Sequence, residues 1–328
     1  MAFGISVIVP AYNAAAFLER CADSVLSQAE AAWELLIVEN GSTDDTAAVA
    51  RRLTGRDSRI RLLHSEKGVS NARNLGIEQA AFDYITFLDA DDRLAPGCFA
   101  FFREMAETYP DCDLIVGDAD RQTDSGFRQL YEKDAVEQAL VLFLRQPTRY
   151  LTVWGKLYRT ACLQKSTVRL DPSLTHAEDS DYLIRLLRDC KRVLVTDHPV
   201  YHYYINPTSA VHGSQSGLLA KYSTSLEATG ASLASESEAV RQAFFFYVLD
   251  NLLVLLVHDT FRAGRPAAEQ YRQAKVVLET AVFRHALEQA PLEQAPLLKR
   301  IAFWLAKGRH LRLLRLTVVL RQWQNKRR

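Results

Sequence analysis

The first ninety residues alternate between short apolar runs and longer stretches of helical periodicity. Ile5–Pro10 (ISVIVP) is rich in β-branched residues and is closed by a proline, and the following stretch places Phe17, Cys21, Val25 and Leu26 on one helical face. Trp33–Val38 (WELLIV) is a second apolar run. It ends at ENGSTDDT, where Gly41 makes a turn and Ser42 or Thr43 is expected to cap a helix reaching Leu53. Arg59–His64 alternates like a third strand, GVSNARNLGIEQA opens another helix, and Tyr84–Asp89 (YITFLD) reads as a fourth strand. Strands separated by helical stretches are successive βαβ units on a parallel sheet. In open sheets of this kind ligands bind outside the carboxyl ends of the strands. The polar clusters after Val9, Val38 and Leu88 all fall on that edge.

One more helix and strand are expected between Ala95 and Gly117, and residues 118–150 read as polar and then helical. VWGKLYR (Val153–Arg159) and HAEDSDYLIRLLRD (His176–Asp189) follow, then two short strands, VLVTD and VYHYYI. From about Gly213 the pattern is helical, broken by Pro266, Pro291, Pro296 and Gly308. The greasiest segment, Ala243–Val257, is interrupted by Asp250 and Asn251. It is shorter than the roughly 20 residues a bilayer requires, so it reads as a buried helix.

Composition adds little until charge is mapped along the chain. Apolar residues make up 48% and charged residues 24%, the balance of an ordinary folded protein, and the formal net charge is +1. Between Leu297 and Arg328, however, there are ten basic residues and no acidic one, which leaves the remainder at −9. A basic tail on an acidic body points to an anionic surface as partner. The five cysteines are scattered, with no CxxC pair, which argues against a disulfide framework or zinc site and for a reducing cytoplasm. The opening residues lack the basic region of a signal peptide.

Chemistry concentrates in FLDADD, where Asp89, Asp91 and Asp92 follow an apolar strand. Three neighbouring carboxylates repel one another unless solvated or bound to a cation. An Asp-x-Asp pair can give Mg²⁺ or Mn²⁺ one or two oxygens, with substrate phosphates and water completing the octahedron. Such an ion stabilises charge on a departing diphosphate. Alone, the motif is as well explained by a solvated acidic turn. Its neighbours shift that balance: Tyr12 in PAYN offers a face for a nucleobase, and Glu39 or Asn40 can accept a base N–H. Lys67 and Arg73 in KGVSNARN sit around a helix start suited to phosphate.

Taken together, SVIVPAYN, ELLIVENGSTDDT, GVSNARNLG and YITFLDADD, in that order and spacing, resemble the nucleotide-binding half of a family 2 glycosyltransferase with the GT-A fold. The later WGKLY and AEDSDYLIRLL resemble the acceptor half of members that build bacterial polysaccharide and lipopolysaccharide. The resemblance implies an α/β GT-A domain over residues 1–212, Rossmann-like with a mostly parallel central sheet flanked by helices. Its donor half is 1–95 and its acceptor half 96–212, and a helical extension over 213–328 ends in the basic tail 297–328.

Carried over by position, Pro10, Tyr12 and Asn40 or Glu39 would hold the base, Arg73 would lie near base and phosphates, Asp89 would contact ribose or the metal's water shell, and Asp91 would bind the metal. The family's usual Asp-Asp pair is Glu39-Asn40 here. An Asn carbonyl still accepts from uracil N3–H, so a UDP-sugar is the expected donor. The general base would be Asp179, next to Glu178, taking a proton from the acceptor hydroxyl during inverting attack. Glu178, Asp179 and Asp181 can equally be first-turn charges favoured by the helix dipole. Trp154 and Lys156 are candidates for the acceptor groove. His176, His202 and His212 are candidate ligands for metal or diphosphate.

Leu297–Lys307 places Leu297, Leu298, Ile301, Trp304 and Leu305 on one face and basic residues on the other, as an interfacial helix on the inner face of a cell membrane would. No recognition module supports nucleic acid as partner. The reading is therefore a metal-dependent transferase moving one sugar onto a glycan or lipid-linked saccharide. Two alternatives stay open: a sugar-phosphate nucleotidyltransferase, although VPAYNAAAF lacks the Gly-rich loop expected there, and a catalytically silent GT-A-like binding protein. A processive synthase is disfavoured, since neither spanning helices nor a QxxRW segment are found.

Overall fold

In the computed structural model of the chain the described residues are 3–29, 32–119, 124–204 and 217–325. They divide into two compact units: Met1–Leu140 with Thr148–Ser173 and Glu178–Ser209, and Val141–Pro147 with Leu174–Ala177 and Ala210–Arg328.

The first unit is built on strands β1 (Ile5–Ala11), β2 (Trp33–Glu39), β3 (Ile60–His64) and β4 (Tyr84–Phe87), connected by helices α1 (Leu18–Leu26), α2 (Thr46–Thr54) and α3 (Val69–Gln79). These four strands are parallel in the order β3-β2-β1-β4. The chain winds outward from β1 through β3 and then returns to the other side of β1. That reversal makes the carboxyl ends of β1 and β4 a topological switch point, the crevice where open sheets bind ligands. Every residue of β1 and β2 is buried, as expected of strands covered on both faces.

Beyond β4 the sheet turns mixed. Its remaining elements are β5 (Arg93–Leu94), α4 (Cys98–Thr108), β6 (Leu114–Ala119), β7 (Arg128–Glu132), α5 (Val136–Arg145), α6 (Pro147–Tyr150), β8 (Lys156–Arg159), α7 (Thr160–Lys165), α8 (Glu178–Leu187) and β9 (Arg192–His202). β8 is antiparallel to β4 and β6, β9 is parallel to β6, and β5 and β7 are antiparallel to β9. Two sequence expectations change here. The two short strands around TDHP are one continuous strand, because Pro199 falls where the β6–β9 ladder shifts register and costs no regular hydrogen bond. β7 escaped detection because only Tyr131 of its five residues is buried.

The second unit is helical: α9 (Leu218–Ser232), α10 (Glu238–Leu255), α11 (Ala267–Glu279), α12 (Ala281–Gln289), α13 (Leu297–Lys307) and α14 (Leu311–Asn325). Ser237 caps α10 by accepting from the Val240 amide. The stretch Glu238–Thr260 is, among the described residues, the one helix long and apolar enough to cross a membrane, but 67% of its most apolar window is buried. Its Asp250 is paired to Lys299 of α13 at 2.7 Å. The greasy segment is thus the core of a helical bundle, as its interruption by Asp250 and Asn251 suggested.

One close approach in the first unit positions the rest. α3 packs against β1 so tightly that a Cβ on Gly76 would lie 2.4 Å from Ile8 Cγ2. Gly76→Ala should therefore destabilise by about 1–3 kcal/mol through overpacking. Urea denaturation would measure it, and in an Ile8→Ala background the added methyl should cost clearly less.

Candidate active site

The loops leaving β1 and β2 are stitched together by their own side chains. Asn13 N–H donates to Ser42 Oγ (3.1 Å), Thr43 N–H to Asn13 Oδ1 (2.8 Å), Ala14 N–H to Thr46 Oγ1 (2.7 Å) and Ala15 N–H to Asp44 Oδ2 (3.2 Å). The small polar residues of PAYN and NGSTDDT thus satisfy backbone amides at the strand ends, a role that motif reading did not separate from ligand binding. Neither Ser42 nor Thr43 caps α2: its N-cap position is Asp45, without a side-chain cap bond, and the Thr46 amide donates to Asp44 Oδ1 at 3.0 Å.

This stitching fixes the candidate base-binding residues. Pro10 is buried in β1 opposite Val38. Tyr12 follows it 42% exposed, with Lys67 Nζ 5.0 Å from its ring centroid. Glu39 takes the Ser42 amide at 2.5 Å and faces His64 Nδ1 at 3.3 Å. Burial pushes its carboxyl up, but the hydrogen bonds from Ser42, His64 and Gly41 outweigh that and hold it below the usual range. Asn40 is buried, and its Oδ1 has no hydrogen-bond partner among the described residues.

The GVSNARNLG segment resolves into distinct tasks on α3. Gly68 turns the chain at φ +125°, and Asn71 Nδ2 caps the Lys67 carbonyl at 3.0 Å. Ser70 and Asn74, one turn apart, hold the backbone of Asp171 and Leu170. Arg73 lies between them, 4% exposed, where it bridges two separate acidic segments. Its guanidinium donates to Asp89 Oδ1 at 2.9 Å and Asp179 Oδ1 at 2.6 Å, with Glu178 at 3.8 Å. Burial alone would weaken its hold on the proton, and the three carboxylates reverse that. Arg73 was expected beside base and phosphates; in the structure its charge is paired with these carboxylates.

The three acidic residues of FLDADD occupy three different environments. Asp89 pairs with Arg73, and its amide donates to the Tyr201 hydroxyl at 3.2 Å. Asp92 turns inward to accept from Tyr201 Oη–H at 2.6 Å and the Tyr204 amide at 2.7 Å. Burial pushes its carboxyl up to about 7 despite those two bonds. Asp91 is partly exposed, and its carbonyl accepts from Arg20 at 2.6 Å.

Among the acidic residues of AEDSD, Asp181 is spent on Arg185 one turn along α8 at 2.6 Å, whereas Glu178 and Asp179 face Arg73. Asp179 Oδ2 also lies 3.5 Å from the Val153 amide. Desolvation pushes the Asp179 carboxyl up to about 7, aided by Glu178 and Asp89 and opposed by Arg73. Ala177, just before α8, holds a left-handed φ of +57°. Such backbone strain clusters at functional sites.

The acceptor candidates fare differently. Trp154 is partly buried and stacks on Tyr201 at 4.5 Å, with Tyr203, just past the end of β9, 6.1 Å away. Lys156 does not line a groove: it is 1% exposed, and its Nζ donates to the Thr152 carbonyl at 2.6 Å and the Trp154 carbonyl at 3.3 Å. Burial pulls its ammonium down to about 7 against the carboxylates of Asp179 and Asp118. Its task is to hold the loop that carries Trp154. His176 belongs to the helical unit, with its ring 4.0 Å from Tyr222 and its carbonyl bound by Ser225 Oγ. His202 is on β9 opposite Arg93, and His212 lies outside the described residues.

No three His, Cys, Asp or Glu side chains among the described residues converge as a metal cage. The acidic turn supplies hard carboxylate oxygens from Asp91 and, apart from the oxygen given to Arg73, from Asp89. This set suits Mg²⁺ or Mn²⁺ shared with substrate phosphates rather than an all-protein site. Removing Arg73 would leave Asp89, Glu178 and Asp179 uncompensated. Arg73→Ala should cost about 3–5 kcal/mol in denaturant unfolding. Adding Asp179→Asn should return part of that loss, which a purely steric defect would not allow.

Residues 6–165 match the model of glycosyl transferase family 2. Over 95% of its length the chain is 27% identical to the uncharacterized glycosyltransferase EpsJ of Bacillus subtilis, covering 94% of that protein. The fold is similar to that of S. aureus TarS 1–349 in complex with UDP-GlcNAc (TM-score 0.67, 16% identity, 98% of this chain and 92% of that one). It is also similar to the mannosyltransferase PcManGT of Pyrobaculum calidifontis in complex with GDP-Man and Mn²⁺ (TM-score 0.53, 15% identity, 96% and 84% covered). With its strand-end motifs, GT-A architecture and matching sequence, residues 6–165 of the chain belong to glycosyltransferase family 2.

Proposed function

We propose that the protein is an inverting, metal-dependent hexosyltransferase that moves one sugar from a UDP-sugar to a hydroxyl of a glycan or lipid-linked saccharide. The proposed setting is bacterial surface polysaccharide or lipopolysaccharide assembly at the cytoplasmic face of the membrane. One observation carries the reading: the buried Arg73 holds Asp89 of the donor motif and Asp179 of α8 on a single guanidinium. A carboxylate suited to proton removal thereby stands beside the acidic turn suited to the donor.

In this reading the base stacks on the exposed ring of Tyr12. Asn40 Oδ1, an acceptor without a partner among the described residues, receives a base N–H, with the Glu39 carboxylate beside it as the second acceptor. Asp91, with Asp89, would hold Mn²⁺ or Mg²⁺, which as a Lewis acid stabilises charge on the leaving diphosphate. Asp179 takes the acceptor hydroxyl proton as the oxygen bonds to the anomeric carbon. The bond from that carbon to the diphosphate oxygen breaks on the opposite face, so configuration inverts. Arg73 orients Asp179 and favours its ionised form. Residues 1–95 supply the donor half and 96–212 the acceptor half, with Trp154 and Tyr203 as aromatic faces for a sugar ring. UDP-bound TarS and the Mn²⁺ complex of PcManGT support this choice of donor class and ion.

UDP with Mn²⁺ should raise the melting temperature, since a ligand specific for the folded state stabilises it by mass action. Asp91→Ala should abolish the metal-dependent part of the shift. No shift from any nucleoside diphosphate, with or without metal, would defeat the donor site. Asp179→Asn should bind UDP normally but lose about 10²–10⁴ in kcat. Because the base acts ionised and its carboxyl sits near 7, kcat/KM of the wild type should rise with pH through that value and level off above it. Residual transfer by Asp179→Asn should lack this acid limb.

A further inference from the structure

The last two helices each leave an apolar face open to solvent. α13 packs into its unit through Ala302, Phe303 and Ala306. On its other side Leu297, Leu298, Ile301 and Trp304 stand out, with Leu298 79% and Trp304 73% exposed. α14 repeats the pattern: Leu314 and Val318 are buried, while Leu313, Leu316 and Leu320 are each more than half exposed. The exposed faces are therefore not the packing faces. Isolated surface leucines need no explanation, but a contiguous set of this kind marks an interaction surface.

Charge identifies the occupant. From Leu297 onward the chain carries ten basic residues and no acidic one. Lys299, Arg309 and Arg315 are tied to Asp250, Glu279 and Gln270, whereas Lys307 and Arg312 project into solvent beside the apolar residues. A second copy docked on this surface would bring two such cationic segments together. An anionic lipid surface complements both properties, because apolar side chains enter the acyl boundary and the cations meet headgroup phosphates. At eleven residues α13 is too short to span a bilayer, which takes about 20, but a tryptophan among leucines suits its interface.

We infer that α13 and α14 form a docking surface that seats the protein on the polar–apolar boundary of an anionic bilayer. The inference rests on exposure and charge alone and stands whether or not the transfer reaction is as proposed.

Flotation of the full chain with vesicles tests it. Phosphatidylcholine vesicles containing phosphatidylglycerol should bind at least about tenfold more protein than phosphatidylcholine alone, and added salt should reduce that binding. Trp304 emission should shift to the blue on binding, a change that Trp304→Phe removes. Leu298→Ser/Trp304→Ser should bind at least about tenfold more weakly at an unchanged melting temperature, since both side chains already face water. Equal binding to both vesicle types, no binding to either, or wild-type binding by the double variant would each overturn the inference. So would a protein that ignores vesicles but forms a dimer the double variant cannot make.

Discussion

A guanidinium almost sealed from solvent can stay in a protein only if carboxylates surround it, and Arg73 has three within 4 Å. That requirement governs the geometry around it. The carboxylates come from two segments far apart in sequence, the end of β4 and the start of α8, and neither can move without stranding a buried charge. α3 must in turn be held where Arg73 reaches both. Ser70 and Asn74 grip the backbone at Asp171 and Leu170, and Gly76 lets the helix lie against Ile8. The whole GVSNARNLG segment can thus be understood as the mounting of one cation.

The acidic turn shows how one sequence motif is divided by environment. Asp92 is buried against Tyr201 and Tyr204, so it fixes the turn and its carboxyl gives up its proton reluctantly. Tyr201 passes that constraint on, because its hydroxyl also receives the Asp89 amide and its ring supports Trp154. Asp89 is oriented by Arg73. Asp91 is the partly exposed third member, whose carbonyl accepts from Arg20. Three neighbouring aspartates would repel strongly if all were ionised in one medium, and burial of Asp92, which raises its carboxyl, relieves part of that repulsion.

The parallel half of the sheet was legible because strands buried on both faces leave continuous apolar runs, as in Ile5–Pro10 and Trp33–Val38. The second half was harder to read. β7 buries a single residue, and Pro199 imitates a turn inside a strand. Residue types also placed the candidate site at the strand ends without revealing who contacts whom. Arg73 looked like a phosphate ligand because a helix start with a basic residue usually is one, and no local pattern announces partners 16 and 106 positions away. Lys156 looked like a groove residue because nothing in WGKLY shows that its ammonium ends among the carbonyls of its own loop. Ser42 was read as a helix cap, yet with Asn13 and Asp44 it satisfies amides across two loops.

The pairing of Arg73 also bears on how a diphosphate can be accommodated. An arginine with an unspent charge at this edge would offer the donor a direct counterion. Arg73 offers none, since its charge is already divided between Asp89 and Asp179. Arg20 is bound to the Asp91 carbonyl with its guanidinium 4.2 Å from the Tyr204 ring centroid, and Lys156 is buried with a weakened proton affinity. Lys67, exposed beside Tyr12, is a flexible cation. Asp91 and Glu178 add negative charge to the two carboxylates that already share Arg73. Bringing a diphosphate to an edge with this balance requires further positive charge, and the oxygens of the acidic turn are suited to hold it as a divalent ion. On this argument the suitability of the acidic turn for a divalent ion rests less on the spacing of two aspartates than on the commitment of the buried Arg73 to the carboxylates it organises.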